Sequence, residues 1–497
     1  MTLLAALPTV SYSWSQAAGD LSQIASIAIV TVALLLAVVL DLILPRRLSG
    51  SVVALVSALA LVTALVAAWI RIAQGGGHSA YSGFVSGDDF ALYFEVLLSL
   101  LGLCTLAVGH VYARRRDLAE PEFVVLVLAA LVGMMALAAS TSLVTVFVAL
   151  ETFSVALYVL CGFLRRDTRS QEAAVKYLLV GGFASAFVLY GMALVYGATG
   201  TTQISAISSQ LASGSLTNPL VVLGVLLMTV GFAFKISGVP FHQWTPDVYD
   251  GAPLPVTAFM SVGTKAAGFA MVLRVLQGGL VHLGSEWTLA LALIAAASMV
   301  VGNVAAIAQT NVKRLLAYSS VAQAGYLLVG VVAGGAAGIG GVLFYLFAYL
   351  FMNFGAFAVL IELTAPDGER VQLSDLDGLG SRSPLLALAM SVFMLALAGF
   401  PPLVGFIGKF FLFSPAVSGG WTWLVILGVL TSVVSVVYYL RVLVHVWTPV
   451  GDPQRIAVGP LQILVGAAAL VALAVGLYPS LLYYAGLLGA HALSAGR

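Results

Sequence analysis

Four ionisable residues stand where charge is hardest to keep. Glu151 lies in FVALETFSVAL, Lys265 in SVGTKAAGF and Lys409 in GFIGKFFLF; Lys235 ends an apolar run that leads into FKISGVPFHQWTPDVYDGAPLP. A charge at the centre of a membrane helix costs about 2.5–3.5 kcal/mol on insertion scales, and such residues face a cavity or a partner. Burial disfavours the charged form of either side chain, and a nearby opposite charge restores both. A glutamate and a lysine in a low dielectric can therefore sit paired and ionised, or apart with the lysine neutral. Passing between these states moves a proton, and a second lysine feels the change through Coulomb coupling that the interior screens poorly. Three lysines in series form a charge relay that needs no bound metal or organic cofactor.

Position within the apolar runs separates these four from the other charges. Lys265 stands about ten residues from either end of its run, roughly 15 Å of helix, beyond the reach of snorkelling. Glu151 is equally deep and requires a basic partner from another segment, for which Lys235 is the candidate. Lys235 precedes a break marked by Gly238, Pro240, Pro246, Pro253 and Pro255, and Lys409 follows Gly399-Phe400-Pro401-Pro402. Broken helices are tolerated at membrane depth where the freed backbone lines a water-filled cavity. His242, inside the first break, is an open candidate for the relay. Ser237, Ser261, Thr264, Tyr318, Ser319 and Gln323 are candidates to hold water wires, or simply to pack between helices. The remaining charges have plainer readings. Lys176 has Glu172 one turn before it, and Arg441 lies near a span end, so both are expected to snorkel. Asp41, Glu95 and Glu362 are expected at the interfaces, and His110 and His445 as satisfied core histidines.

The elements that must position these residues are membrane helices. Of 497 residues 61% are hydrophobic and 8% charged, against about 25% charged in soluble domains. Apolar runs of about 20 residues, each able to cross a hydrocarbon core of about 30 Å, recur from end to end. The fold class is therefore all-α and polytopic. Fourteen spans are expected: 22–44, 51–73, 90–112, 121–139, 142–164, 171–196, 218–236, 254–276, 287–308, 313–334, 338–363, 384–413 (broken), 421–447 and 459–486. The stretch 237–253 after span 7 is expected to be re-entrant. Thirteen of the 21 Lys and Arg fall in loops on one side, among them Arg114, Arg115, Arg116, Arg165 and Arg166. The positive-inside rule makes that side cytoplasmic and puts both termini outside. On the other side Ile204, Ile207 and Leu211 recur at helical spacing within Thr201–Leu216, which fits a short interfacial helix or an unstructured loop. The most polar linker is 365–383. The first residues lack a positive n-region and read as a short tail rather than a cleaved signal.

Composition also excludes whole classes. A net charge of +1 offers no basic patch for nucleic acid. Cys104 and Cys161 lie inside apolar runs, and no CxxC, HExxH, Walker or dinucleotide motif is present, so no metal, haem, iron–sulfur or nucleotide site is expected in this chain.

Four stretches together resemble the antiporter-like membrane subunits of proton-pumping NADH:quinone oxidoreductase, respiratory complex I. They are ALETFSVALYVL, the long segment FKISGVPFHQWTPDVYDGAPLPVTAFMSVGTKAAGF, NVKRLLAYSSVAQAGYLLVG and AGFPPLVGFIGKFFLF, and the resemblance runs through spans 4–13 in order. It implies fourteen core helices within one integral membrane domain: N-terminal helices over 1–120, inverted five-helix repeats over 121–276 (spans 4–8) and 287–447 (spans 9–13), and a C-terminal helix over 459–497. Each repeat should contain one broken helix, span 7 or span 12. Lys409, where another type has glutamate, DLDGLGSRSPLLALAMSVFMLALAGFPP, YYLRV and the absence of a long lateral helix are most similar to the N type. The resemblance gives Glu151 and Lys235 as an ion pair, Lys265 as the central relay lysine and Lys409 as the distal one. It implies membrane-arm partners of the M type and small subunits such as K, with FMN, iron–sulfur clusters and quinone carried by partner subunits, in the cell membrane of a prokaryote. An Mrp-type cation/proton antiporter, the equivalent subunit of a related hydrogenase or dehydrogenase complex, and a scaffold with vestigial lysines are the alternatives.

Overall fold

The computed structural model describes residues 13–116, 118–213, 218–366, 368–450, 456 and 458–495. The first twelve residues, Arg455, Arg497 and the end of the Thr201–Leu216 stretch lie outside the described residues. A short helix α1 (Trp14–Gln23), opened by a Ser13–Gln16 capping box, stands where a tail was expected. Then come α2 (Ala25–Ile43) and α3 (Arg46–Ala73), a small hairpin of β1 (Ser79–Ala80) and β2 (Val85–Ser86), and α4 (Asp89–Arg116).

The first half continues with α5 (Glu120–Ala139), α6 (Leu143–Cys161), α7 (Thr168–Thr199), α8 (Ile204–Ala212), α9 (Pro219–Lys235), α10 (Trp244–Gly251) and α11 (Leu254–Val272). A π-helical turn, Leu273–Gly279, extends α11. The second half holds α12 (Gly284–Ile307), α13 (Val312–Ala333), α14 (Gly335–Tyr349), a π-helical turn Leu350–Phe354, α15 (Gly355–Glu362), α16 (Leu379–Arg382), α17 (Pro384–Ala398), α18 (Val404–Ser418) and α19 (Thr422–Trp447). The chain closes with α20 (Pro460–Leu477) and α21 (Ser480–Ala495). Among the described residues 12 helical segments are long and apolar enough to span a membrane, and α9, α17 and α18 are shorter apolar pieces. With α9–α10 and α17–α18 as the broken seventh and twelfth crossings, the expected fourteen are present.

Local sequence explains where these helices start and stop. Asp167 and Asn218 accept the first free amides of α7 and α9, and Asn311 takes those of both Lys313 and Arg314 at the start of α13. These are N-cap residues whose side-chain oxygen replaces a missing intrahelical acceptor. α7 ends at Gly200 and α17 at Gly399, both in left-handed backbone (φ 67 and 91) that glycine adopts without a Cβ clash.

Two backbone stitches reveal the internal repeat. Leu143 and Ile204 donate to Thr202 O and Thr141 O, and Val312 and Leu373 donate to Val371 O and Thr310 O in the corresponding pairing. The bridges Ser142–Gln203 and Asn311–Gln372 are separated by the same interval along the chain. The first lies on the face where α7 ends; the second lies on the opposite, arginine-rich face. The two halves therefore carry the same motif upside down. α11 is buried along its whole length and α13 almost so, whereas α2, α3, α7, α19 and α20 show mostly outward apolar surface. A helix that is apolar all round belongs inside.

Two expectations change. Span 14 is not one helix to residue 486. It ends at Leu477, turns at Tyr478-Pro479, and resumes as α21 against α4 and α14, because Pro479 has no amide to continue the helix. α8 is a helix, but it does not lie on the membrane with its apolar side. Ile204, Ile207 and Leu211 are buried, and the helix packs on the π turn after α11.

Candidate relay site

Lys235 is the last residue of α9, and its ammonium points back into the first repeat. Its Nζ donates to Ser154 Oγ at 2.8 Å and Tyr177 OH at 3.3 Å, and lies 4.4 Å from the centre of the Phe153 ring. Tyr177 stacks on Trp244 of α10 at 4.6 Å. Glu151 is not in contact with it: its Oε1 accepts from Ser185 Oγ of α7 at 2.5 Å, and the expected ion pair is absent. The reason is geometric. Ser154 is one turn beyond Glu151 on α6 and occupies the Lys235 side, while Glu151 faces α7. The Ser154 hydroxyl, rather than the Glu151 carboxylate, receives the ammonium.

The first break accounts for the free carbonyls at the end of α9. Phe232 O accepts from Ile236 N, Ala233 O from Gly238 N at 2.7 Å, and Phe234 O from Trp244 Nε1 at 3.0 Å. Ile236 O accepts from Lys265 Nζ at 3.4 Å. Ser237 turns the chain with φ 66, and its hydroxyl accepts from Thr245 Oγ1 at 2.8 Å. Lys265 is wholly buried in α11 and sits directly behind the break. The partial negative charge of a helix C-terminus is the natural seat for a cation.

The second break repeats this arrangement. Lys409 Nζ donates to Leu397 O at 3.3 Å, Ala398 O at 3.1 Å and Ser432 Oγ at 2.5 Å, and lies 4.6 Å from the Tyr326 ring centre. A Cβ on Gly399 would come within 3.2 Å of Lys409 Nζ, and one on Gly405 within 1.8 Å of Ala396 O. The glycines allow this close approach. A cavity of about 700 Å³, walled by Phe406, Phe410, Phe413 and Val429, opens beside Lys409 and Ser432. Among the described residues none of the three lysines makes an ion pair. Carbonyls and hydroxyls hold them instead, so each can gain or lose a proton without breaking a salt bridge.

A polar seam connects the halves. Asn353, in the π turn after α14, donates to Ser261 one turn before Lys265 at 2.7 Å. Gln323 of α13 donates to Leu397 O at 3.2 Å, the carbonyl that Lys409 shares, and accepts from Tyr345 OH at 2.5 Å. Tyr439 joins Gln323 at 3.3 Å and Ser319 at 2.5 Å. Tyr249, Ser320 and Tyr349 bring hydroxyls near one another without a direct hydrogen bond, the setting that ordered water bridges. Counted from the stitches, Ser320 stands where Glu151 does in the first repeat and Gln323 where Ser154 does. Some candidates fall outside this seam. Thr264 bonds its own helix at Met260 O, and Tyr318 is only partly buried, with no hydroxyl bond to the seam among the described residues. His242 is half-buried in the break, its Nδ1 without a partner among the described residues and unconnected to any lysine. Ser154, Tyr177, Tyr345, Asn353 and Ser432 were not singled out by the sequence, although Ser154 and Ser432 are legible as hydroxyls in otherwise apolar runs.

The arginine-rich face closes over the first break with charge pairs. Lys176 pairs with Glu172 at 2.6 Å, as expected, and also with Asp247 of α10 at 3.0 Å; Arg314 of α13 holds the other Asp247 oxygen at 3.0 Å. Arg441 donates to the carbonyl ends of α12 at Ile307 and Gln309, and His110 and His445 pair with Glu120 and Asp377. Glu95 and Glu362 stand within two turns of helix ends, as expected, but both are buried against other helices. Glu362 pairs with Arg115 at 2.9 Å, and Glu95 has one oxygen without a hydrogen-bond partner among the described residues. Among the described residues no three of His, Cys, Asp and Glu converge as metal ligands do.

Buried lysines set at inverted helix breaks in an all-helical membrane chain define an antiporter-like, ion-translocating subunit. The chain belongs to the NADH:quinone oxidoreductase/Mrp antiporter transmembrane family, whose family model matches residues 140–435. It is 46% identical over 408 residues to NADH-quinone oxidoreductase subunit N of Trichlorobacter lovleyi, covering 81% of this chain and 84% of that one. To subunit N 1 of Herpetosiphon aurantiacus it is 47% identical over 416 residues, covering 82% and 85%. A chain of respiratory complex I from Thermus thermophilus with bound aureothin is similar in structure, with TM-score 0.80 and 38% identity over 92% of this chain and 98% of that one. The Mrp complex of Dietzia shares the fold, with TM-score 0.82, at 24% identity over 96% and 98%. Within its family the chain is thus a proton-translocating membrane-arm subunit of the N kind.

Proposed function

We propose that protons cross this subunit along Lys235, Lys265 and Lys409, with Glu151 setting the charge state of the first. The observation that carries this reading is the way the lysines are held. Each stands at or behind a helix break, is held by hydroxyl or carbonyl oxygens, and among the described residues makes no direct carboxylate contact. A proton arriving at Lys235 raises the cost of a second charge on Lys265, whose partner among the described residues is the Ile236 carbonyl next to Lys235. Coulomb coupling across an interior of low effective dielectric then favours release onward. The seam of Ser261, Asn353, Ser320, Tyr349 and Gln323 supports a hydrated route to Lys409. Ser237 and His242 line the break itself, and Thr264 and Tyr318 have weaker claims.

The arginine-rich face is the cytoplasmic one by the positive-inside rule, with both termini outside and the cell membrane of a prokaryote as the site of action. The break between α9 and α10 then opens toward the cytoplasm, as the uptake side. Electron transfer from NADH to quinone belongs to partner subunits carrying FMN and iron–sulfur clusters. Neighbours of the M type and small membrane subunits such as K would flank this chain. The test is the assembled complex carrying Lys235→Ala or Glu151→Gln, reconstituted in vesicles. Both variants are expected to assemble and to lose most proton translocation; an unaltered number of protons per electron in either one contradicts the proposal.

A further inference from the structure

We propose that Glu369 and Lys313 are positioning residues that hold the helix bearing Lys265 in register with the first break, an inference that rests on the relay reading above. Glu369 belongs to the polar linker after α15, yet its carboxylate reaches three separate elements. Oε1 accepts from Tyr112 OH of α4 at 2.7 Å and from the Leu254 amide at 2.8 Å; Oε2 accepts from Lys313 Nζ at 2.9 Å. Lys313, at the start of α13, is 1% exposed and donates a second bond to Ala252 O at 2.7 Å.

These contacts meet at one corner of the backbone. Ala252 C=O and Leu254 N–H flank Pro253, which has no amide of its own. The corner joins α10 to α11, and each of its two polar groups is taken by one member of the same ion pair. The cation takes the carbonyl and the anion takes the first amide of α11, where a negative charge also complements the helix dipole. The pair comes from the second repeat and its linker; the corner belongs to the first repeat.

The consequence reaches both relay lysines of that repeat. α11 carries Lys265, whose bond to Ile236 O is 3.4 Å long, near the limit at which such a contact counts. A slide of α11 by a fraction of an ångström decides whether that contact exists. α10 carries Trp244, which stacks on Tyr177 and so supports a partner of Lys235. An exposed linker carboxylate would usually contribute little. Here it neutralises a lysine that is almost wholly buried, and removing one member of such a pair leaves the other uncompensated.

The test uses the whole complex carrying Glu369→Gln, Lys313→Met, or both. Glutamine keeps an acceptor for Tyr112 and Leu254 but offers Lys313 no charge. Two readouts are taken: amide hydrogen exchange over residues 252–258, and protons translocated per electron. Each single variant is expected to exchange about tenfold faster at the corner, the scale expected for losing one charge-assisted contact. Each should also lower the proton yield with electron transfer and complex content unchanged, and the double variant should recover part of both losses because no unpaired charge remains. Unchanged exchange in the singles overturns the proposal. So does a loosened corner with a normal proton yield, which would make the pair a structural staple alone, or a double variant no better than the worse single. Lys235→Ala run in parallel keeps the two ideas apart: if it pumps normally the relay reading fails, while exchange at the corner still reports whether the pair holds α11.

Discussion

At the scale of single residues, the site depends on what lies between charges as much as on the charges. Lys235 meets not Glu151 but the Ser154 hydroxyl one turn further along α6, which receives the ammonium at 2.8 Å and itself donates to Leu150 O. A hydroxyl both donates and accepts, so it can pass a proton or a water contact that an alkyl group cannot. Ser154→Ala is therefore expected to leave assembly and electron transfer intact and to slow proton translocation several-fold, the scale of one lost hydrogen bond to a charged group. Proton uptake by vesicles in the steady state measures it, and a wild-type rate would remove Ser154 from the path. The lysines were legible in the sequence because a charge deep in an apolar run has few explanations. The hydroxyls were not, because serine and tyrosine pack between membrane helices for ordinary reasons. The Glu151 partner differs from the expected lysine for a related cause: depth requires a partner but does not say which, and Ser185 answers the requirement.

At the scale of elements, the breaks are held by close backbone approach and the bundle by a few buried pairs. Gly405 brings α18 against Ala396 O so tightly that an added Cβ would sit 1.8 Å from that oxygen. Gly405→Ala must push the half-helices apart, and overpacking of this kind costs about 1–3 kcal/mol. A lowered thermal midpoint together with lost translocation is expected, and a variant as stable and active as wild type would show the break to be pliable. The N-terminal helices are tied to the first repeat by Arg274, which grips both oxygens of Asp88 at 2.6 and 2.7 Å and also donates to Ala138 O. Burial alone would raise the Asp88 carboxyl, but the Arg274 charge and hydrogen bonds, with the Ala91 amide, bring it below its ordinary value. A depressed acid contributes stability that is complete above its unfolded value of about 3.9 and fades as pH falls through the folded one. Asp88→Asn leaves Arg274 buried and unpaired, a change that costs about 3–5 kcal/mol. The gap in thermal midpoint between wild type and this variant should be constant from pH 8 to pH 5 and narrow only below about pH 4; a gap that closes near neutrality would show that another group controls it. Glycine and proline clusters made both breaks readable. The turn before α21 was not, since Pro479 is a lone breaker in a run that stays apolar on both sides.

At the scale of the whole molecule, two inverted halves place one broken crossing each on the same buried axis, and the linker of one half clamps the corner of the other. Composition and span length were sufficient for a polytopic bundle of fourteen crossings. The internal symmetry is weaker in sequence because the halves share a backbone plan rather than residues: Ser320 stands for Glu151 and Gln323 for Ser154. With a carboxylate in one half and a hydroxyl in the other, only the first half carries a charge at this position; in the relay proposed above, that asymmetry gives the path a direction on a nearly symmetric scaffold. An energy-converting complex requires such directionality of a membrane arm, and on this proposal the lysines rather than the fold are the decisive parts. The most direct measurement is the number of protons translocated per electron by the complete complex in sealed vesicles, with Lys235→Ala or Glu151→Gln in this subunit. A large loss in that ratio, with the complex intact and NADH oxidation persisting, is the predicted result; an unchanged ratio would contradict proton transfer along these lysines.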